Sequence, residues 1–163
     1  MVVVEERISS VNCSVARALA VVGERWTLLI VREAFDGVRR FQDFRTRLGI
    51  ASNLLTARLE TLVEAEVMTR VPYREKGDRL RYEYHLTERG ADLRPVLIAL
   101  LQWGDRYLAD PEGPSVVPRH AGGPDGGCCD EPVRVVVECA AGHGPLRAED
   151  VRRTPGPGAR FVG

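Results

Sequence analysis

Through the first two fifths of the chain, apolar residues recur at intervals of three and four, as amphipathic helices require, until the rhythm changes near residue 68. Residues 14–22, SVARALAVV, predict a short helix with Ser14 as its N-cap and Gly23 as its stop. Residues 25–35, RWTLLIVREAF, predict a more buried second helix in which Trp26, Leu29, Ile30 and Ala34 share one face. The segment DGVRR (36–40) breaks it. In FQDFRTRLG (41–49), Phe41, Phe44 and Leu48 point inward, Arg45 and Arg47 point outward, and Gly49 closes the helix. After the turn IAS, with Ser52 as N-cap, a fourth helix runs from Asn53 to near Ala65. Its buried stripe is Leu55, Leu59, Leu62 and Val63, with Leu54 beside it; Asn53, Thr56, Ala57 and Glu60 lie opposite.

Beyond Met68 the period becomes two. MTRVPYRE and LRYEYHLT, separated by KGD, predict a β-hairpin with a charged tip. Val71 and Tyr73 alternate with Arg70 and Arg74; Tyr82, Tyr84 and Leu86 alternate with Arg81, Glu83 and His85. TERGADLRPVLIALLQWGDRYL (87–108) returns to helix, capped by Thr87, with Pro95 and Gly104 as points for a kink or break. From Asp110 the composition shifts. DPEGPSVVPRHAGGPDGG reads as linker, VRVVVEC (133–139) carries a strand signal, and TPGPGARFVG is expected to fray. The predicted division is a folded domain over 1–109 and a linker with a Cys/His-containing tail over 110–163.

From the second helix onward, three helices, a hairpin and a helix follow the order of a winged helix-turn-helix: mainly α with a β-hairpin wing, here followed by a Pro/Gly-rich tail with a small β element. The 41–49 helix and the helix from Asn53 form the helix-turn-helix pair. An α-helix fits a major groove roughly 12 Å wide, and the buried leucine stripe leaves the Asn53 and Thr56 side free for base edges. The first turn of that helix offers N–H groups to phosphate. Arg74, Lys76, Arg79 and Arg81 around the hairpin turn suit phosphate or minor-groove contact. A generic small α+β domain with a salt-laced hairpin is the competing reading of this pattern.

Charge alters that picture only locally. The 163 residues carry 23 basic and 23 acidic side chains, which taken alone argues against nucleic acid. Between Arg39 and Arg81, however, ten basic residues stand against six acidic ones, a locally positive face that can attract phosphates. No Ser/His/Asp set, P-loop or dinucleotide glycine pattern appears, so an enzyme is not expected. A winged helix that binds protein rather than DNA is the alternative function. No apolar run approaches the roughly 20 residues that span a bilayer, and MVVVEERISS lacks the features of a signal peptide. The expected location is the cytoplasm, with no membrane partner.

At this level of detail the sequence resembles the HxlR family of bacterial transcriptional regulators. The landmarks are Cys13 before the first helix, the Gly23-x-x-Trp26-Thr27 pattern, Arg40–Phe41 opening the third helix, LTARLETL in the recognition helix, YHLTERG, and the late Trp103. They cover roughly residues 12–108 and say little about the tail. The resemblance implies a homodimer on double-stranded DNA, repressing or activating a promoter through a near-palindromic operator whose half-sites lie one DNA turn, about 34 Å, apart. Residues 14–22 and 87–108 would make the dimer through Val15, Leu19, Val22, Leu97, Leu100, Leu101, Trp103 and Leu108, some of which must serve as monomer core.

The candidate DNA contacts are therefore Ser52, Asn53 and Thr56 in the major groove, the four wing cations, and Arg40 and Arg45 on backbone phosphate. Arg58 either reaches phosphate or braces its helix against the protein. Cys13 stands next to a helix start, where a helix N-terminus favours thiolate, and the resemblance implies a candidate redox sensor at this place; a small packing residue at the dimer interface is the plain alternative. A second input would be an aromatic or phenolic effector near Trp26 or Trp103. In the tail, His120, Cys128, Cys129, Cys139 and His143 are metal-ligand types, and Cys139-x-x-x-His143 has workable spacing for zinc. Two Cys-x-x-Cys knuckles are absent, since Gly142 stands where a knuckle cysteine would be. Zinc on Cys128, Cys129, Cys139 and His143, a reduced loose tail, and a disulfide to Cys139 all remain open.

Overall fold

Buried leucines organise the N-terminal part of the chain. The computed structural model describes residues 7–8, 11–74, 77, 79–122 and 126–162. The expected helices form as α1 (Ser14–Val22), α2 (Arg25–Phe35), α3 (Phe41–Leu48) and α4 (Ser52–Glu64). Leu55, Leu59 and Leu62 of α4 are almost completely buried, together with Ile30, Val31 and Ala34 of α2 and Phe44 of α3. Val22, Val38, Ile50, Val67 and Met68 complete this core. Fully burying a leucine contributes roughly 1.5–3 kcal/mol, so the three on α4 set how that helix is rotated. Val63, expected in the stripe, is only half-buried.

Caps differ from expectation by one residue. α1 is capped by Cys13 and α4 by Ala51, both in extended backbone and neither with a side-chain capping bond; Ser14 and Ser52 are instead the first helical residues. Gly49, at φ +62°, ends α3 in the left-handed conformation that glycine adopts without a Cβ penalty.

The wing is an antiparallel hairpin of β2 (Met68–Tyr73) and β3 (Arg81–Leu86), with Met68 opposite Leu86 and Tyr73 opposite Arg81. Directly paired residues share a face. The two apolar alternations therefore land on opposite faces: Tyr82, Tyr84 and Leu86 go with Met68, Arg70 and Pro72, while Val71 and Tyr73 go with Glu83, His85 and Arg81. On its other edge β3 is met by the segment before α3, where the Tyr84 N–H donates to the Arg39 carbonyl at 2.8 Å and Arg40 bridges Glu83.

The predicted 87–108 helix is two. α5 (Glu88–Ala91) is a single turn, and α6 (Arg94–Tyr107) starts after Asp92 and Leu93, with Pro95 in its first turn. The break thus falls before Pro95, whose ring suits a helix start, and Gly104 lies within α6 without ending it. Thr87 caps α5 as expected: its hydroxyl accepts from the Gly90 N–H at 3.1 Å and donates to the Glu66 carbonyl at 2.6 Å. The C-terminal segment, expected to fray, instead pairs with the N-terminal part: β1 (Arg7–Ile8) runs antiparallel to β4 (Phe161–Val162), and the Asn12 side-chain amide donates to the Gly158 carbonyl.

The chain divides into two units, one of residues 1–91 with 153–163 and the other of residues 92–152. Within the second, residues 133–139 do not form the expected strand. At its start the Gln102 side chain on α6 donates to the Val133 carbonyl at 3.1 Å and accepts from the Val135 N–H at 3.0 Å. One side-chain amide cannot continue a ladder, and Val135, Val136 and Val137 stay exposed.

Gly90 is buried, and a Cβ there would lie 2.2 Å from the Val67 carbonyl oxygen, a backbone atom that cannot give way. Gly90→Ala should lower stability by about 1–3 kcal/mol in chemical denaturation. Gly104→Ala, with open space around the position, should be neutral or stabilising by up to about 1 kcal/mol. Equal effects of the two would contradict this packing.

Candidate nucleic-acid interface

The surface opposite the leucine stripe of α4 begins with Ser52, Asn53 and Thr56, all exposed. Because Ala51 has no side-chain oxygen, no cap occupies the N–H groups of the first turn. Arg45 on α3 reaches across the turn, its Nη1 donating to Ser52 Oγ at 3.3 Å, and so sets a guanidinium beside that helix end. Asn53 has no side-chain partner among the described residues. The Thr56 hydroxyl donates back to the Ser52 carbonyl at 2.9 Å, which leaves its methyl group and a lone pair to face outward. An amide, a methyl group, a guanidinium and uncapped N–H groups thus share one end of one helix. Base edges and phosphate are the groups that such a set can recognise together.

Arg58 turns toward the protein. Its Nη2 pairs with Glu24 Oε2 at 3.4 Å, its side chain is 25% exposed, and its Nε is buried without a partner among the described residues. Glu24 caps α2, so Arg58 braces α4 against the start of α2. Of the two roles left open by the sequence, this ion pair is the bracing one.

Arg40 is held at the base of the wing. Its Nε donates to Glu83 Oε1 at 3.2 Å and its guanidinium lies over the Tyr73 ring, 4.6 Å from the centroid. Glu83 also meets His85 Nε2 at 3.1 Å. The Arg40 bond first and His85 second hold the Glu83 carboxyl below the usual carboxylate range. Neither Glu83 nor Tyr73 stands out in the sequence, because their partner is 43 and 33 positions away. Arg47, the other outward cation of α3, pairs with buried Glu33 at 3.4 Å, and Glu33 also accepts from Arg32 at 2.6 Å.

On the wing, Arg74, Arg79 and Arg81 are exposed, and Arg70 lies over the Tyr82 ring at 5.5 Å. Lys76 lies outside the described residues. A concave region of about 430 Å³ separates the wing from the start of α3, lined by Arg40, Phe41, Gln42, Asp43, Tyr73, Arg81, Tyr82 and Tyr84. A smaller one of about 220 Å³, lined by Thr56, Leu59, Glu60, Val63, Glu64, Arg70 and Tyr84, separates the wing from α4. Tyr84 borders both, and burial pushes its phenol pKa up, so it stays a neutral donor.

Cys13, half-buried, caps α1. The backbone N–H groups of Ala16 and then Val15 hold its thiol below the ordinary cysteine value, outweighing partial burial, and the Arg153 charge adds to the effect. The interaction is looser than a closed capping bond. All four cysteines are free. Of the four residues expected to share one zinc, Cys139 and His143 lie together, whereas Cys129 lies beside His120 and Cys128 bonds the His120 backbone. Cys129 Sγ lies 3.3 Å from His120 Nδ1, and Cys139 Sγ lies 3.4 Å from His143 Nδ1. The Cys128 thiol donates to the His120 carbonyl at 2.9 Å. Among the described residues no three metal-ligating side chains gather around one point. No helix among them is long and apolar enough to cross a membrane.

The model of the HxlR-like helix-turn-helix family matches residues 21–112. An uncharacterised HTH-type transcriptional regulator of Mycobacterium tuberculosis is 47% identical over 145 residues, 89% of this chain and 87% of that protein. Because 145 residues exceed the 112 at which the family model ends, that similarity includes part of the tail. The crystal structure of PA1607, a candidate transcription factor, matches with a TM-score of 0.73 at 43% identity, covering 88% of this chain and 95% of that one. The redox regulator HypR in its oxidised form matches with a TM-score of 0.54 at 29% identity, over 60% of this chain and 100% of that one.

Cys13 yields a pH prediction. Its pKa is lowered in the folded chain, so between the folded and unfolded values the folded protein holds more thiolate. In a chain with Cys128, Cys129 and Cys139 changed to serine, iodoacetamide should alkylate folded Cys13 with a pH midpoint below that of the same chain in denaturant. Coincident midpoints would contradict the role of the α1 N–H groups.

Proposed function

Since the chain belongs to the HxlR-like helix-turn-helix family of DNA-binding transcription regulators, we propose that it acts as a homodimer on a near-palindromic operator. Each copy lays α4 in a major groove and its wing along the adjacent backbone. The observation that carries this reading is the leading end of α4: exposed Asn53 without a side-chain partner, beside an uncapped first turn and Arg45. Asn53 would pair with adenine and the Thr56 methyl with thymine, while Ser52 and Arg45 hold phosphate. Exposed Arg74, Arg79 and Arg81, with Lys76, add affinity that is indifferent to sequence. Arg40, engaged by Glu83 and Tyr73, acts on DNA through the position it gives the wing.

Dimerisation is supported by apolar surface on both terminal helices. Val15 and Leu19 of α1 are 67% and 57% exposed; on α6, Val96, Leu100 and Trp103 are each more than half exposed, and no residue of that helix is buried. Side chains of this kind cost free energy in water and are commonly covered by a partner. As the signal input we propose oxidation of Cys13, supported by its thiolate-favouring position at the α1 start and by the likeness to a protein named as a redox regulator.

Asn53→Ala should cost about 1–3 kcal/mol of operator affinity and relax base preference at one position per half-site. Arg74→Ala with Arg79→Ala should weaken binding to all sequences and flatten the slope of log K against log salt by about 2. Titration of labelled DNA across salt concentrations reads both. Unchanged preference in the first variant would remove Asn53 from the groove, and an unchanged slope in the second would remove the wing from the phosphates.

A further inference from the structure

The unit of residues 92–152 holds two small hairpins whose ends carry thiols and imidazoles. In the first, the Val133 N–H donates to the Pro118 carbonyl at 2.8 Å and the His120 N–H to the Glu131 carbonyl at 3.0 Å, which sets His120 beside Cys129. In the second, the Leu146 N–H donates to the Val137 carbonyl at 2.8 Å and the Cys139 N–H to the His143 carbonyl at 3.0 Å. Its tip is a tight turn closed by the Gly142 N–H on the Cys139 carbonyl at 2.8 Å, with Gly142 at φ +82°. Gly142, standing where a second knuckle cysteine would be, thus supplies the backbone conformation that lets His143 fold back onto Cys139.

Each hairpin presents one sulfur and one Nδ1 nitrogen, 3.3 Å apart in the first and 3.4 Å in the second. In a tetrahedral zinc site, with nitrogen at about 2.0 Å and sulfur at about 2.3 Å from the metal, the nitrogen–sulfur edge is about 3.5 Å. Both pairs already have the separation of two ligands on one ion, and two such edges make a complete two-cysteine, two-histidine shell. We propose that His120, Cys129, Cys139 and His143 bind a single structural zinc ion that draws the two hairpin ends together.

The ligand set differs from the one the sequence suggests. Cys128 is engaged with the His120 carbonyl, and His120 takes its place. Among the described residues no three of these ligands converge already, so convergence is the work of the ion, as in small domains whose metal free energy is their folding free energy. On binding, the two thiols release their protons to solvent, and two thiolates balance the charge of the dication. All four ligands lie within one unit, so the site needs no particular arrangement of that unit against the DNA-binding one.

The test uses the full-length chain, reduced and stripped of metal, titrated anaerobically with cobalt(II). The expected result is saturation at one cobalt per chain, with the intense visible bands of tetrahedral cobalt and sulfur-to-cobalt charge transfer in the near ultraviolet, bleached by one equivalent of zinc. Cys129→Ser and Cys139→Ser should each abolish these bands, while Cys128→Ser should keep them; far-UV circular dichroism checks that all three variants retain the parent's helix content. A pale six-coordinate spectrum would mean thiol–imidazole hydrogen bonds only and would overturn the proposal. Full intensity retained in Cys139→Ser, or a loss in Cys128→Ser equal to that in Cys129→Ser, would assign the metal to the vicinal cysteines and overturn it as well.

Discussion

Burial of Leu55, Leu59 and Leu62 against the α2 and α3 core is the constraint on which the exposed face of α4 depends. These side chains are withdrawn from water almost completely, and rotating α4 by a fraction of a turn would expose at least one of them. Truncating one to alanine would cost roughly 2–5 kcal/mol, a large share of a small domain's stability. The rotation of the helix is therefore fixed by the core, and what faces outward follows from spacing: Asn53 and Thr56 sit away from the stripe at the leading end. Arg58 adds a polar brace on a flank of the same helix through Glu24.

The wing is tied to this arrangement rather than hung from it. Residues Arg39 and Arg40, just before α3, pair with the free edge of β3, and Arg40 meets Glu83 and Tyr73 from the two strands. An exposed ion pair alone contributes little. Here it is joined by a backbone bond, a cation–π contact and a bridge at the same point, so the position of the wing follows that of the helix-turn-helix. At the other end of the hairpin, Thr87 binds the Glu66 and Val67 carbonyls and caps α5, fixing the strand where it leaves the core.

Local patterns made most of the fold legible. Helix ends at Gly23 and Gly49, the leucine stripe, and the change from period 3.6 to period 2 after Met68 are all properties of a few adjacent residues. What could not be read depends on partners distant in sequence. The β2–β3 register, which sends the two tyrosine-bearing alternations to opposite faces, is set by the turn and by packing, not by either strand. The side taken by Arg58 depends on Glu24, 34 positions earlier. The strand signal at 133–139 is strong by composition, yet its backbone is bonded piecemeal, to the Pro118 carbonyl and the Gln102 side chain at its start and to His143 and Leu146 at its end, with no continuous ladder. At α1 and α4, serine preference suggested caps one residue too late, because extended backbone at Cys13 and Ala51 starts each helix without help from a side chain. Of the candidate contacts, the exposed face of α4 followed directly from periodicity, whereas which arginines are held in ion pairs required three dimensions.

The central claim is that one helix face, presented twice by a symmetric pair, reads DNA sequence. Selection of bound DNA from a random pool by the purified full-length protein at physiological salt tests it most directly. The account predicts enrichment of a near-palindrome whose half-sites are centred one helical turn, about 10 base pairs, apart, with an adenine position in each half. A pool that remains random after repeated rounds, or one enriched only in single unpaired half-sites, would contradict it.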